Sequence, residues 1–359
     1  MNFGRNGPRS TSTNTVHNNL VVFGTIKYYT RYTNRHSYRL TNCENMRVLS
    51  PVELFNLPLH ENPFVVDCRS PPAHQASRVA SSFRYPYEGS IVDEQSLAQF
   101  WVEVSDEWGL ENMTDWILVD DLADAASVAL RDRLDEALRN CPDLSGGTRA
   151  QPVKATSVSV VHFAAFAERY PFFFGPSASL DALAPSYPTE ITPHLYLSGK
   201  GPACHERVMT DLGITHIVNA ASFGERNHFE GDASLGIEYL RLTIIDDESQ
   251  VLTDAFDQAL PFMQEARANG GRVLVHCNQG INRSAAMIVA HLTTAPEQIK
   301  STYHCDLQGA LQHVRACRHP TSCLTNQFFV RQLEELEAAA SASVPIAPKK
   351  RKRVDKRKS

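Results

Sequence analysis

The sequence predicts an α/β protein of two domains, each built on a mainly parallel sheet. Three observations carry that expectation. Short apolar runs rich in β-branched residues alternate with stretches of helical period. The 359 residues suffice for two buried cores. A segment rich in Pro and Ser, residues 175–186, lies between two such alternations and has the composition of a linker.

Residues 1–45, rich in Asn, Ser, Thr and Arg without periodicity, predict a disordered arm. The first domain spans 46–174. Ser50-Pro-Val-Glu-Leu54 reads as a capped short helix, and Pro63 to Arg69 as a buried strand ending in a polar turn. Trp116–Val119 and Val158–Val161 are further strands, with a helix over 124–140 between them. The second domain spans 187–338. Its strands are Leu195–Leu197, Thr215–Asn219, Ile237–Leu242 and Arg272–His276; its helices fall at 203–212, 253–268, 283–293, 307–317 and 325–339. Pro261 predicts that the 253–268 helix starts later or kinks. Residues 339–359 predict a disordered basic tail.

The formal net charge is −5, but residues 1–43 carry six bases and no acid, and 348–359 carry eight bases and one acid. Setting aside the +6 and +7 of these ends leaves 44–347 at −18. So acidic a body disfavours nucleic acid and anionic lipid as partners. No run of about 18 apolar residues predicts a membrane span, and the N-terminus lacks a signal-peptide pattern. The eight cysteines form no C-x-x-C pair and are expected as free thiols. The cluster His304, Cys305, Cys317, His319 and Cys323 matches no common zinc spacing, so neither metal nor cofactor is expected.

The chemistry concentrates in His276-Cys-Asn-Gln-Gly-Ile-Asn-Arg-Ser284, which follows an apolar strand and runs into a helix-like segment. Successive backbone N–H groups and the positive end of a helix dipole converge on such a loop, so it cradles an oxyanion. Asn278, Gln279, Gly280, Ile281 and Asn282 line the cradle, and Gly280 lets it close tightly. The same field holds Cys277 as a thiolate nucleophile. Arg283 can grip two phosphate oxygens with its planar fork. Ser284 is placed to donate to the sulfur, and His276 to position the loop. A leaving alkoxide needs a proton, and the Asp246–Asp247 pair after the third strand of this domain is where a carboxyl group can enter.

These residues carry two family resemblances. The Ser50–Leu54 helix, the Val-Val-Asp-Cys-Arg turn at 65–69 and Phe163-Ala-Ala-Phe-Ala-Glu-Arg-Tyr-Pro171 together resemble a rhodanese-like domain as found in MAP kinase phosphatases. A catalytic rhodanese would need a cysteine just after the Val158–Val161 strand. Here His162-Phe-Ala-Ala stands there, which implies a non-catalytic docking or regulatory module. Only scattered Arg69, Arg78 and Arg84 replace the dense basic cluster of kinase-docking relatives.

Residues 187–338 resemble dual-specificity phosphatases. The resemblance rests on Tyr187-Pro-Thr-Glu-Ile-Thr-Pro-His-Leu-Tyr-Leu197, Ile217-Val-Asn219, the Asp246 segment, the H-C-x5-R-S loop and Asn326 through Leu333. It implies hydrolysis of phosphotyrosine and phosphoserine/phosphothreonine through a cysteinyl phosphate, on a phosphoprotein substrate for which a MAP kinase is one candidate. Asp246, 31 residues before Cys277, is then the general acid. The two-domain layout also resembles serine/threonine/tyrosine-interacting-like proteins, some of which lack the nucleophile that this chain keeps. Position 282 is Asn where most dual-specificity enzymes have Ser. Gly-x-Asn-Arg-Ser is reminiscent of RNA 5′-triphosphatases, so an RNA 5′-phosphatase stands as an alternative, beside a regulator that binds phosphoproteins without turning them over.

Pro348-Lys-Lys-Arg-Lys-Arg-Val354 has the pattern of a single-cluster nuclear import signal, which implies an import receptor as partner and nuclear localisation, with a cytoplasmic pool as the alternative.

Overall fold

The computed structural model describes residues 47–57, 64–77, 82–84, 115–140, 157–173, 186–222, 226–295, 306–318 and 323–342. The arm at 1–45, residues 175–185 of the linker, the basic run 348–354, and His304, Cys305 and His319 lie outside them.

The N-terminal half forms an all-parallel five-stranded sheet. Its strands are β1 (Arg47–Val48), β2 (Phe64–Asp67), β3 (Phe83–Arg84), β4 (Asp115–Asp120) and β5 (Ser157–His162), in the order β1-β5-β4-β2-β3. Helix α1 (Pro51–Asn56) begins at Ser50, whose hydroxyl accepts from Glu53 N while Glu53 reaches back to Ser50 N: the capping box expected from the sequence. Helix α2 (Pro71–Ala76) follows β2, α3 (Ala125–Asn140) follows β4, and α4 (Phe163–Arg169) follows β5 without an intervening loop. Trp116, Leu118 and Val119 on β4 are fully buried, as central parallel strands require.

The C-terminal half is a second five-stranded sheet: β6 (Thr189–Thr192), β7 (Leu195–Ser198), β8 (His216–Asn219), β9 (Glu238–Arg241) and β10 (Val273–His276), in the order β6-β7-β10-β8-β9. All pairings are parallel except β6 with β7. Four helices, α7 (Thr253–Ala268), α8 (Arg283–Thr294), α9 (Leu307–Cys317) and α10 (Gln327–Ala342), share one core with β7 and β10. On the other side of the sheet lie α5 (Lys200–Ala203) and α6 (Glu206–Leu212).

The structure departs from the sequence expectations or adds to them at three places. Strand β6 was not anticipated. The helix expected over 203–212 is two short helices parted at Cys204–His205, because Cys204 N and His205 N close tight turns onto Gly201 O at 3.1 Å and Pro202 O at 3.2 Å that end the first of them. Helix α7 starts at Thr253 and runs through Pro261. Burial of Ala255, Phe256, Ala259, Met263 and Ala266 on one face offsets the hydrogen bond that proline removes, worth about 3 kcal/mol with the attendant clash.

The two halves meet along β6. Asn56, the last residue of α1, donates its amide to Glu190 O at 2.9 Å and accepts from Glu190 N at 2.8 Å. The buried Glu190 carboxylate pairs with Arg169 and accepts from Tyr170 Oη at 3.0 Å. Phe55 stacks on Tyr170 with centroids 4.4 Å apart, and Phe172 and Phe173 close over Tyr187. A single hydrophobic cluster runs from Leu54 and Phe166 to Met209 and Leu274.

Candidate active site

Strand β10 is buried at all four positions and delivers Cys277 to the C-terminal edge of the sheet, where ligands bind in open α/β folds. The loop 278–282 then turns directly into α8, so the helix begins beside the sulfur. Gly280 takes φ +71°, and a Cβ there would lie 2.6 Å from the Ser198 carbonyl carbon and 2.7 Å from Arg318 Nη2. Only glycine fits that close approach.

Cys277 is 1% exposed, and its sulfur accepts from Ser284 Oγ and from Gly280 N, each at 3.2 Å. Burial by itself pushes the thiol up. The hydrogen bonds from Ser284 and Gly280 and the charge of Arg283 outweigh it, and the pKa lies below its ordinary value.

Arg283 is also buried. Its Nη1 donates to Ile244 O at 3.4 Å, whereas Nε has no hydrogen-bond partner and sits 3.9 Å from Asp246 Oδ2. An unsatisfied, buried guanidinium nitrogen at the wall of a cleft fits a ligand that brings its own oxygen. The cleft is lined by Asn278, Gln279, Asn282 and Arg283 from the loop and helix, by Asp246–Glu248, and by Thr325–Gln327. Gly280 and Ile281 contribute backbone instead: Gly280 N faces the sulfur, and Ile281 O accepts from Leu324 N at 3.0 Å.

The structure separates the two aspartates. Asp246 is held in the cleft by Asn282 Nδ2 on Oδ2 and Asn326 Nδ2 on Oδ1, both at 3.2 Å. The Asp247 carboxylate turns outward onto Ser249 N and Oγ, both at 2.8 Å, and those bonds lower its pKa. Asn282 also accepts from Thr325 N and Asn326 N, so one side chain links the phosphate loop, the acid and the start of α10. His276 is buried with Nδ1 3.5 Å from Cys277 O. Sequence reasoning did not assign roles to Thr325, Asn326 or Arg318. Asn326 had a local signal, since its Oδ1 caps α10 by accepting from Phe328 N at 3.0 Å.

A cysteine whose pKa is lowered, an amide cradle at a helix N-terminus, an arginine with a free donor and a carboxyl group across a cleft define a site of the cysteine-dependent phosphatase class. Residues 195–339 match the family described as dual specificity phosphatase, catalytic domain. Dual specificity protein phosphatase 1 of Arabidopsis thaliana is 33% identical over 156 residues, 44% of this chain and 72% of that protein. The chain belongs to the dual-specificity phosphatase family. Protein phosphatase Slingshot of Drosophila melanogaster is 33% identical over 148 residues, 41% of this chain and 13% of that protein. The crystal structure of the human tyrosine phosphatase-like serine/threonine/tyrosine-interacting protein is similar over 43% of this chain and 97% of that one, at 31% identity and a TM-score of 0.37.

Proposed function

We propose that the chain is an active protein phosphatase that hydrolyses phosphotyrosine and phosphoserine/phosphothreonine through a cysteinyl phosphate. The carrying observation is the Cys277 sulfur under two hydrogen-bond donors, in one loop with an arginine whose buried Nε lacks a hydrogen-bond acceptor. In the first step the thiolate attacks phosphorus, the ester P–O bond breaks, and Asp246 protonates the departing oxygen. Arg283 and the loop N–H groups hold the equatorial oxygens as charge builds on them. In the second step water attacks phosphorus, Asp246 takes its proton, and the sulfur leaves as a thiolate under the Ser284 hydroxyl. Inorganic phosphate is released.

Three acids at the rim, Asp246, Asp247 and Glu248, favour a phosphoprotein over the polyanionic 5′ end of an RNA. The rhodanese-like reading of 46–174 is supported by its all-parallel sheet and by β5 running into α4 with His162 and no cysteine at the junction. In that reading the domain is regulatory. A MAP kinase as its partner gains no support from Arg69, which is buried against Asp67 and stacked on Phe163. The pattern of the basic run at 348–354 supports a nuclear location through an import receptor, with a cytoplasmic pool as the alternative.

The test is hydrolysis of p-nitrophenyl phosphate together with Cys277→Ser. The wild type is expected to turn over, and the variant to lose hydrolysis while still binding a phosphopeptide. An inactive wild type that binds phosphopeptides would establish the non-catalytic regulator instead. More than trace activity in the variant would overturn the covalent mechanism.

A further inference from the structure

At the end of α9, Arg318 directs its guanidinium at the underside of the phosphate loop. Nη2 donates to Gln279 O at 3.2 Å, Nε donates to Gly280 O at 3.4 Å, and Nη1 donates to Thr189 Oγ1 on β6 at 2.9 Å. The two carbonyls belong to consecutive peptide units. In a trans peptide the C=O and N–H point in opposite directions, so fixing the carbonyl fixes the N–H on the far side. The N–H opposite Gln279 O is that of Gly280, and it reaches the Cys277 sulfur at 3.2 Å. The N–H opposite Gly280 O is that of Ile281, and it likewise points away from Arg318, into the loop.

We propose that Arg318 is a positioning residue for the phosphate site: acting from behind the loop, it aims and polarises the two peptide N–H groups that serve the nucleophile and the bound oxyanion. A charged donor on the carbonyl draws electron density from the amide and strengthens the bond its N–H makes. The guanidinium therefore serves the anion without touching it and without occupying the cleft. Burial pulls its pKa below the usual value, and the Cys277 sulfur acts in the opposite direction. Thr189 holds the third corner of the fork, and Gly280 is the only residue that admits the guanidinium so close beneath the turn.

The inference rests on the phosphatase reading, and the experiment separates the two. Three quantities are read on the full chain: kcat and KM on an aryl phosphate, inhibition by orthovanadate, and the pH dependence of Cys277 alkylation by iodoacetamide. Arg318→Met is expected to lower kcat/KM roughly 10- to 10²-fold, less than the loss of a direct oxyanion donor. Vanadate affinity should fall by a similar factor, and the alkylation midpoint should move to higher pH. Arg318→Lys should recover part of each, because an ammonium can still serve one carbonyl. Thr189→Val should shift all three the same way by a smaller factor. A residue that merely holds the fold together would lower the melting temperature and leave the alkylation midpoint and vanadate affinity of the folded fraction unchanged, and that result overturns the proposal. If Arg318→Met does not fold, Arg318→Lys and Thr189→Val decide on the same readouts. A wild type that neither hydrolyses the ester nor binds vanadate would sink the phosphatase reading itself.

Discussion

Replacing Ser284 by Ala removes one donor from the sulfur of Cys277, a residue 1% exposed, where burial leaves little room for water to replace the lost bond. A hydrogen bond to a charged group contributes about 1.5–3 kcal/mol. At about 1.4 kcal/mol per tenfold, the thiolate should be disfavoured roughly 10- to 10²-fold. The sign follows from the fold holding the Cys277 pKa below its ordinary value, with Ser284 the leading stabilising contribution against burial. Without that donor the pKa rises, and the ascending acidic limb of the rate profile moves to higher pH. Above both pKa values the capture of phosphate recovers. The second step does not, because there the sulfur must depart as a thiolate with one donor fewer. Stopped-flow release of p-nitrophenol should therefore show a burst in the variant, followed by a slow steady state. An unshifted acidic limb together with burst-free kinetics would refute the reasoning.

Asp246→Asn should slow turnover of esters with poor leaving groups by roughly 10²-fold, while Asp247→Asn changes little because that carboxylate faces Ser249; equal losses in steady-state assays would remove the distinction. Burial of His291, reinforced by the charge of Arg267, pulls its pKa from 6.5 to about 4. The unfolded chain then binds a proton that the fold refuses, so stability falls as pH drops from 6.5 towards 4, by at most about 1.4 kcal/mol per unit from this residue. Urea titrations across that window should show a shallower slope for His291→Leu, and an identical slope would contradict the burial argument. Pro261→Ala on the exposed face of α7 should raise stability by about 1–3 kcal/mol, and a lower urea midpoint would mean the helix had adapted to its proline.

The phosphate loop was legible because its signal is local. A buried apolar strand, a nine-residue motif and a helix follow one another without interruption, and each constrains the next. The choice between Asp246 and Asp247 was not fixed by local pattern, because either can end a strand. The amides of Asn282 and Asn326 separate them, and Asn326 arrives from 80 residues away. Strand β6 escaped notice for a similar reason. Thr189-Glu-Ile-Thr192 alternates poorly, and Thr189 and Glu190 are buried only because partners at 318, 56, 169 and 170 satisfy them. Arg318 carries no signature at all: a cation near a helix end is ordinary, and backbone carbonyls leave no trace in sequence.

The Asn56 side chain completes the outer rim of the catalytic sheet as a one-residue surrogate strand, matching Glu190 donor for acceptor and acceptor for donor. An excised fragment starting at Tyr187 would uncover that rim, strand the Glu190 carboxylate without Arg169, and bare the ring of Tyr187. Unpaired rims recruit other chains. The N-terminal half therefore acts as a molecular selvage for its neighbour, and the two should melt in a single cooperative transition, with solubility depending on their staying joined.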